Sequence, residues 1–269
     1  MIKLAVFDID RTLVPVGHNG VAPETAAALK QLRAKGIKTA IASGRLFPFL
    51  QPELLELGFD YYIMSNGTYV IDSCGNVLEK TALEPDVVAV FSKEMIRRDY
   101  PFNIRYCMGH ITGNPNCTVF ERMQPIWARQ KLKAKPPKAM MEEYEPWEGE
   151  TPVSLSGFIP EEEVSDFAAR FPELEFLPVF ESPMCDINPA GVSKATGMET
   201  VCRLSGIDLS EAMAFGDDRN DLEMIKAAGI GVAMGGGIQA VKDVADYITA
   251  PSEELGVVAA LRHFSLIDA

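Results

Sequence analysis

Residues 4–12 of the chain read LAVFDIDRT, in which four apolar residues are followed by two aspartates, an arginine and a threonine. A run of four apolar residues predicts a strand that is buried on both faces, as in a parallel sheet. The strand ends in Asp8 and Asp10, whose side chains point to the same face for as long as the strand geometry lasts. Burying two unpaired carboxylates is costly, and a divalent cation that takes oxygen ligands would offset this cost. The alternative is that both aspartates begin a solvated loop.

Predicted strands and helices alternate on both sides of a long middle section. A helix that begins at Pro23 separates the first strand from a strand at 37–42, and a helix over 47–57 leads to a strand at 61–64. After the middle section, helices are predicted at 193–204, 222–228, 238–245 and 253–264, with strands at 212–215, 231–234 and 247–248. This order is typical of a parallel sheet with right-handed crossovers.

The middle section has a different pattern. A hairpin is predicted around 72–76 and a helix at 86–98, and short strands follow at 102–107, 119–123, 153–158, 176–180 and 184–187. A helix is predicted at 160–171, and the charged, proline-containing stretch 131–150 is predicted to be irregular. The predicted fold class is therefore α/β: a doubly wound, Rossmann-like parallel-sheet core at 1–82 and 188–269, with an inserted α+β cap domain at 83–187.

Composition argues against several classes of function. The formal net charge of −13 argues against nucleic acid or an anionic membrane as the main partner. No apolar run approaches the roughly 18 residues of a membrane span, and no signal peptide is recognised before the first strand. The five cysteines are scattered without a C-x-x-C pair, which is typical of reduced thiols, so a cytoplasmic location is expected. The sequence specifies no oligomeric state.

Polar residues follow the predicted strands at their carboxyl ends, where open parallel sheets bind their ligands. A lysine, Lys194, begins the helix after the insert and could point to the same edge. The chain has no G-x-x-x-x-G-K-[ST] motif and no G-x-G-x-x-G after its first strand, which disfavours a nucleotide-binding loop, and Gly235–Gly237 is more typical of a tight turn. The strand-end groups are Asp8/Asp10/Thr12, Ser43-Gly44-Arg45 and Asp217/Asp218/Asn220/Asp221.

The strand-end groups and Lys194, taken in chain order, resemble the four motifs of the haloacid dehalogenase (HAD) superfamily. The matching pieces are DIDRT at 8–12, the strand-end Ser43, Lys194 and GDDRND at 216–221. The long insert, the Ser65-Asn66-Gly67 step and GVSK at 191–194 are similar to the Cof-type phosphatases, which carry a large α/β cap. The resemblance extends over nearly the whole chain.

The resemblance implies a catalytic role for each matched residue. Asp8 would be the nucleophile and would form an aspartyl-phosphate. Asp10 would be the general acid for the leaving oxygen and then the base for the hydrolytic water. Ser43 would hydrogen-bond the transferring phosphoryl group, and Lys194 would neutralise both Asp8 and the phosphate.

The resemblance also implies a Mg²⁺ site and further phosphate contacts. Asp8 and Asp217 would bind Mg²⁺, Asp10 would contact it through its main-chain carbonyl, and Asp221 would support these ligands. Asn220 would contact phosphate, as would Gly44 and Arg45 beside Ser43. Arg45 has an alternative, which is to pair with an acidic neighbour.

Elementary electrostatics leads to the same requirement for cations. At ~4 Å and an effective dielectric constant of ~20, two unit charges repel by about 4 kcal/mol, and a phosphate dianion roughly doubles this. An aspartate nucleophile therefore needs Mg²⁺ and a lysine beside it. We expect Mg²⁺-dependent hydrolysis of a small phosphorylated metabolite, such as a sugar phosphate, with no nucleic acid and no membrane as partner.

Two alternative functions use the same nucleophile. A phosphotransferase or phosphomutase would pass the phosphoryl group to a second hydroxyl instead of water. A non-catalytic switch would be phosphorylated on Asp8 and would need neither the general acid Asp10 nor a large cap.

Arg11 departs from the family pattern, which has glycine at this position. Glycine adopts backbone angles that arginine resists, so either the loop needs no positive φ or it is strained at Arg11. Arg11 could also reach the phosphate or the cap. The expectation is only that arginine is tolerated here.

Overall fold

The strand at residues 4–7 lies in the middle of a mixed eight-stranded sheet. The computed structural model describes residues 1–18, 20–114, 150–179 and 184–268. Its strands are β1 (Leu4–Phe7), β2 (Lys38–Ala42), β3 (Tyr61–Met64), β4 (Tyr69–Asp72), β5 (Val77–Lys80), β6 (Phe102–Tyr106), β7 (Gly109–Gly113), β8 (Ser154–Phe158), β9 (Leu174–Pro178), β10 (Met184–Pro189), β11 (Ala212–Gly216), β12 (Ile230–Ala233) and β13 (Tyr247–Ile248). The order of strands across the eight-stranded sheet is β13-β12-β11-β1-β2-β3-β4-β5.

Helices connect these strands. They are α1 (Pro23–Ala34), α2 (Pro52–Glu56), α3 (Pro85–Arg97), α4 (Val164–Arg170), α5 (Lys194–Ser205), α6 (Leu222–Ala227), α7 (Gln239–Val244) and α8 (Gly256–His263). Among the described residues, no helix has the length and apolar character needed to cross a membrane.

Six strands of the large sheet run parallel. β1 pairs with β2 and β11, and in this register Phe7 lies opposite Ile41 on one side and Phe215 on the other. β4 and β5 continue the sheet as antiparallel strands beyond β3. Because the parallel strands end at one edge, the residues that follow β1, β2, β3 and β11 meet there. The predicted fold class is confirmed.

Close packing of α5 on the sheet determines where Lys194 lies. Apolar residues of β1, β2, β3 and α5, among them Val6, Ile63 and Met198, share one buried cluster. A Cβ atom on Gly197 of α5 would lie 2.2 Å from a side-chain carbon of Ile63, so only glycine allows this approach. The first residue of α5 is Lys194, which the packing brings to the carboxyl edge of the sheet.

The chain forms two compact units, Met1–Lys80 with Val192–Ala269 and Thr81–Gly191. The sequence-based boundaries at 82/83 and 187/188 differ from these by a few residues. The predicted second boundary falls within β10, which pairs with β9 inside the second unit up to Pro189.

The second unit contains an antiparallel sheet of order β7-β6-β8-β10-β9. Phe91 of α3, Phe167 of α4 and Phe102 of β6 belong to its buried core. The two helices are also joined by charge, because Glu94 of α3 lies 3.0 Å from Arg170 of α4, and Arg98 at the end of α3 pairs with Asp166 of α4 at 2.6 Å. The unit therefore has its own core, as an inserted domain requires.

Some predicted elements differ from the structure for local reasons. The helix predicted at 47–57 is a 3₁₀ turn at Phe47–Phe49 and then α2, because Pro52 starts a new helix after extended Gln51. The last predicted helix is interrupted at Leu255, whose φ is 59°. The helix predicted at 160–171 begins as a 3₁₀ turn at Glu161–Glu163.

Other differences concern the second unit. Strand β7 was not predicted, since its sequence GHITG begins and ends with glycine and lacks a long apolar alternation. The predicted strand at 119–123 lies outside the described residues, and so does the predicted irregular stretch 131–150 apart from Glu150.

Candidate active site

Lys194 joins two aspartates that lie far from it in sequence. Its Nζ donates to Asp8 Oδ1 and to Asp221 Oδ1, both at 2.6 Å. The Lys194 side chain is fully buried. Burial alone would lower the pKa of Lys194, but the negative charges of Asp221 and Asp8 outweigh this and raise it. Lys194 is therefore a fixed positive charge beside the end of β1.

Three buried carboxylates converge around this charge. Asp8, Asp217 and Asp221 each offer an oxygen, and these atoms lie within 4.8 Å of one another. Burial raises the pKa of Asp8; Lys194 opposes the shift, whereas the neighbouring aspartates reinforce it. Burial and the charge of Asp221 raise the pKa of Asp217 to about 7 in the absence of metal, with Arg11 and Lys194 partly opposing the shift. Without a metal, the charged forms of Asp8 and Asp217 are therefore disfavoured, and a bound cation would stabilise them.

The donor set fits a divalent cation. Asp221 already accepts three hydrogen bonds, more than are recorded for Asp8 or Asp217: Oδ1 accepts from Lys194, and Oδ2 accepts from the amides of Asp217 at 2.9 Å and Asp218 at 3.0 Å. Asp217 Oδ2 is buried and accepts no hydrogen bond. Asp8 and Asp217 are thus the carboxylates available to a metal, and hard cations such as Mg²⁺ prefer carboxylate oxygens. Asp221 holds the surrounding structure in place.

Asp10 lies outside the three-carboxylate cluster. Its side chain is 59% exposed, and its two oxygens accept from Arg45 Nη2 at 2.5 Å and Nε at 3.0 Å. Arg45 is in turn fixed by Gln51 Oε1 at 3.1 Å. In this structure Arg45 therefore pairs with an acidic neighbour, the alternative considered for it from the sequence, and it orients the Asp10 carboxylate.

Ser43 follows β2 at the same edge and is buried. Its Oγ accepts from the amide of Arg45 at 3.2 Å, across the intervening Gly44. Its carbonyl accepts from the amide of Asn66 at 2.9 Å. The loop after β2 is therefore bound to the loop after β3.

Asn66 was not assigned a role from the sequence. Ser65, Asn66 and Gly67 all have positive φ, at 49°, 55° and 96°. The buried Asn66 accepts from Asn220 Nδ2 at 2.8 Å through its Oδ1, so the strand-end groups after β3 and β11 are joined. A Cβ atom on Gly67 would lie 2.0 Å from the carbonyl oxygen of Ser193. The available signal was a Ser-Asn-Gly step at a strand end, because asparagine and glycine tolerate left-handed backbone.

Arg11 has φ 66°, so the loop does take the conformation that favours glycine. Its Nε lies 3.1 Å from Asp217 Oδ2, and its Nη2 donates to the carbonyl of Gly236 at 2.8 Å. Gly237 packs on Asp217, since a Cβ atom there would lie 2.9 Å from the Asp217 carbonyl oxygen. The glycine run thus allows a close backbone approach, and Arg11 bridges it to the carboxylate cluster.

The site residues predicted from the sequence therefore fall into three groups, and contacts connect the members of each group. Lys194, Asp8, Asp217 and Asp221 form one buried cluster. Asp10 and Arg45 form a more exposed pair, and Ser43 is connected through Asn66 to Asn220.

Comparisons with known proteins agree with this geometry. The family model of haloacid dehalogenase-like hydrolases matches residues 5–261. The chain is 33% identical over 267 residues to the putative phosphatase YkrA of Bacillus subtilis (strain 168), and the match covers 98% of each chain.

Two solved structures extend the comparison. BT1666 from Bacteroides thetaiotaomicron, studied among HAD phosphatases, has a TM-score of 0.88 and 28% identity, over 99% of this chain and 96% of that chain. The HAD subclass IIB sugar phosphatase BT4131 has a TM-score of 0.82 and 30% identity, over 98% of this chain and 100% of that chain. The chain therefore belongs to the haloacid dehalogenase-like hydrolase family, as a phosphatase of the Cof type.

Proposed function

We propose that the chain hydrolyses small phosphate monoesters, sugar phosphates among them, with Asp8 as the nucleophile and with Mg²⁺ as the cofactor. The observation that carries this proposal is the contact of Lys194 Nζ with both Asp8 and Asp221 inside a buried cluster of three aspartates. Even with Arg11 beside Asp217, the three carboxylates outnumber the cationic side chains described around them, and surplus negative charge is costly to bury.

Asp8 and Asp217 would hold the Mg²⁺, together with the main-chain carbonyl of Asp10. The bound ion would reduce the repulsion between the attacking carboxylate and the phosphate dianion. Lys194 contributes a second positive charge at Asp8 Oδ1, and its position is fixed because Asp221 holds it from the other side. A positive group that is already in place needs no reorganisation during the reaction.

The covalent step begins with attack by an Asp8 oxygen on phosphorus. The bond from phosphorus to the leaving oxygen breaks, and Asp10 in its acid form gives that oxygen a proton. Asp10, now a carboxylate, takes a proton from the water that cleaves the aspartyl-phosphate, which releases phosphate and regenerates Asp8. The exposure of the Asp10 side chain and its orientation by Arg45 suit a group that must meet an incoming substrate.

Ser43, Gly44 and Asn220 are the proposed phosphate contacts, with Arg45 beside them. Ser43 and Asn220 follow different strands, yet both are bonded to Asn66, one through main chain and one through its side chain. This arrangement would hold hydrogen-bond donors around an anion at the carboxyl edge of the sheet.

The second unit is proposed to be the cap that selects the leaving group. Its sheet carries polar side chains on one face, where Asn103 Nδ2 donates to Ser156 Oγ at 3.1 Å and Arg105 pairs with Asp186 at 2.9 Å. Donors and acceptors on such a face suit a hydroxylated compound better than an apolar one. BT4131, a sugar phosphatase, is similar to this chain along its whole length. A cytoplasmic location is also proposed, since metabolites of this kind and reduced cysteines occur there.

A phosphate-release assay over a panel of sugar phosphates tests the proposal, with and without Mg²⁺. We expect release that depends on Mg²⁺ and on Asp8. Phosphate transferred to an added sugar acceptor would instead identify a phosphotransferase or phosphomutase. A long-lived phosphoprotein that releases no phosphate would identify a non-catalytic switch.

A further inference from the structure

Arg11 is a positive charge held against a proposed metal ligand. Its Nε lies 3.1 Å from Asp217 Oδ2, an oxygen that is buried and accepts no hydrogen bond. The contact is therefore an ion pair that lacks hydrogen-bond geometry. A metal ion that coordinates Asp217 Oδ2 directly could replace this contact.

The guanidinium is also fixed from its other side. Nη2 donates to the carbonyl of Gly236, whose neighbour Gly237 packs directly against the Asp217 backbone. This hydrogen bond to a main-chain carbonyl in a close-packed turn holds the positive charge near Asp217 independently of the contact with the carboxylate.

The backbone at Arg11 is unfavourable for any residue with a Cβ atom. Its φ of 66° is in the left-handed region, which glycine adopts without this cost. The loop conformation does not need the arginine side chain, since glycine would suit it better. Its side-chain contacts with Asp217 and with the carbonyl of Gly236 involve the proposed metal site and the turn that supports it.

We propose that Arg11 is a tethered competitor of the divalent cation, which pairs with Asp217 in the metal-free protein and weakens Mg²⁺ binding. This inference rests on the proposed function of Asp217 as a metal ligand. The Arg11 guanidinium repels a Mg²⁺ ion bound nearby, and it stabilises the three aspartates when no Mg²⁺ is bound. Arg11 is thus a positioning residue that sets the Mg²⁺ concentration at which the enzyme works.

Mg²⁺ titration calorimetry on metal-free protein without substrate tests this proposal. Arg11→Gln removes the charge at similar size, and Arg11→Gly also removes the strain. We expect the Kd for Mg²⁺ to fall about fivefold or more in both variants, because repulsion between a unit charge and a dication at close range is lost. Arg11→Lys keeps the charge, so its Kd should stay closer to that of wild type than the Kd of either uncharged variant.

A second measurement separates competition from a merely structural role. Without Mg²⁺, the Tm of Arg11→Gln should lie below that of wild type, because Asp217 loses its ion pair with the guanidinium. With saturating Mg²⁺ the difference should disappear, since the metal then pairs with the Asp217 carboxylate in both proteins. A Tm deficit that persists at saturating Mg²⁺ would mean that Arg11 acts only in folding.

Arg219→Gln is the matched control, because Arg219 is exposed and lies two residues from Asp217 in the chain. An equal gain in Mg²⁺ affinity there would assign the effect to net charge and overturn the proposal. An unchanged or weaker affinity in Arg11→Gln would overturn it as well. If wild-type protein bound no Mg²⁺ at all, the proposed metal site itself would be wrong, a result distinct from the other two.

Discussion

Lys194 Nζ lies 2.6 Å from Asp8 Oδ1 although 186 positions separate the two residues in the chain. The contact joins the end of the first strand to the first residue of the helix that follows the second unit. Both side chains are buried, so each charge depends on the other for its stability. The same contact that completes the proposed active site therefore also fixes the return of the chain to the core.

Lys194→Met tests the structural side of this contact. The variant removes the charge and leaves Asp8 and Asp221 buried beside each other, so the free energy of unfolding should fall by about 3–5 kcal/mol without Mg²⁺. Urea denaturation of the metal-free protein measures this, with Lys242→Met on the partly exposed part of α7 as the control. A loss below about 1 kcal/mol would show that the two aspartates can be protonated at little cost in free energy when the lysine is absent.

Asp8→Asn tests the covalent route. Asparagine keeps the size of the side chain but is a poor nucleophile, so phosphate release should fall by at least about a thousandfold while the protein stays folded. A phosphate-release assay and a thermal melt measure the two effects. Asp243→Asn, at an exposed position of α7, should retain full activity. Comparable activity in Asp8→Asn would exclude an aspartyl-phosphate on this residue.

The sequence predicted that candidate residues meet at one edge of the sheet because they stand at strand ends. Asp8, Ser43 and Asp217 each follow an apolar run, so their convergence at one edge follows from a parallel sheet alone. The pairing of Arg45 with Asp10 and the contact of Arg11 with Asp217 depend on side-chain rotamers, which strand periodicity does not determine. The broken helix at 47–57 was predictable from Pro52, whereas the left-handed Leu255 that divides the last helix leaves no local signal.

Gly67→Ala tests whether the turn after β3 positions Lys194. Gly67 and Gly75 share positive φ values of 96° and 86°, but a Cβ atom would lie 2.0 Å from Ser193 O at Gly67 and would contact nothing within 4 Å at Gly75. Gly75→Ala should therefore cost only about 1 kcal/mol of stability, from backbone strain, with unchanged activity. Gly67→Ala should cost more and should also lower kcat, because it displaces the start of α5.

Chemical denaturation and steady-state kinetics on these two glycine variants give the comparison. Equal losses of stability together with equal kcat values would show that the contact with Ser193 does not matter for the position of Lys194.

Glu94 should make the second unit sensitive to acid. Hydrogen bonds from Arg97 and then Arg98, with the charge of Arg170, lower its pKa from 4.5 to about 2, against the opposing effect of burial. The folded-state pKa lies below the unfolded one, so the stabilisation is present above pH 4.5 and is lost as the pH falls towards 2. Glu94→Gln should destabilise the protein at neutral pH and flatten its stability profile over this acidic range.

Thermal melts between neutral and acidic pH measure this profile. Glu161→Gln serves as the control, because Glu161 is exposed in the same unit and should leave the profile unchanged. A Glu94→Gln profile that runs parallel to wild type through the acidic range would contradict the assignment.

Asp10→Asn should separate the two chemical steps. A sugar phosphate needs a proton on its leaving oxygen, so its turnover should fall by about a hundredfold to ten-thousandfold.

p-Nitrophenyl phosphate has a leaving group that departs without a proton, and Asp8 of the Asp10→Asn variant should still become phosphorylated by it. The aspartyl-phosphate should then persist, because the amide side chain of the variant cannot take a proton from water. Rapid-mixing absorbance measurements should therefore show a burst of about one nitrophenolate per enzyme followed by slow turnover. Equal rate losses for both substrates, with no burst, would remove Asp10 from both proton transfers and leave its contact with Arg45 as its main role.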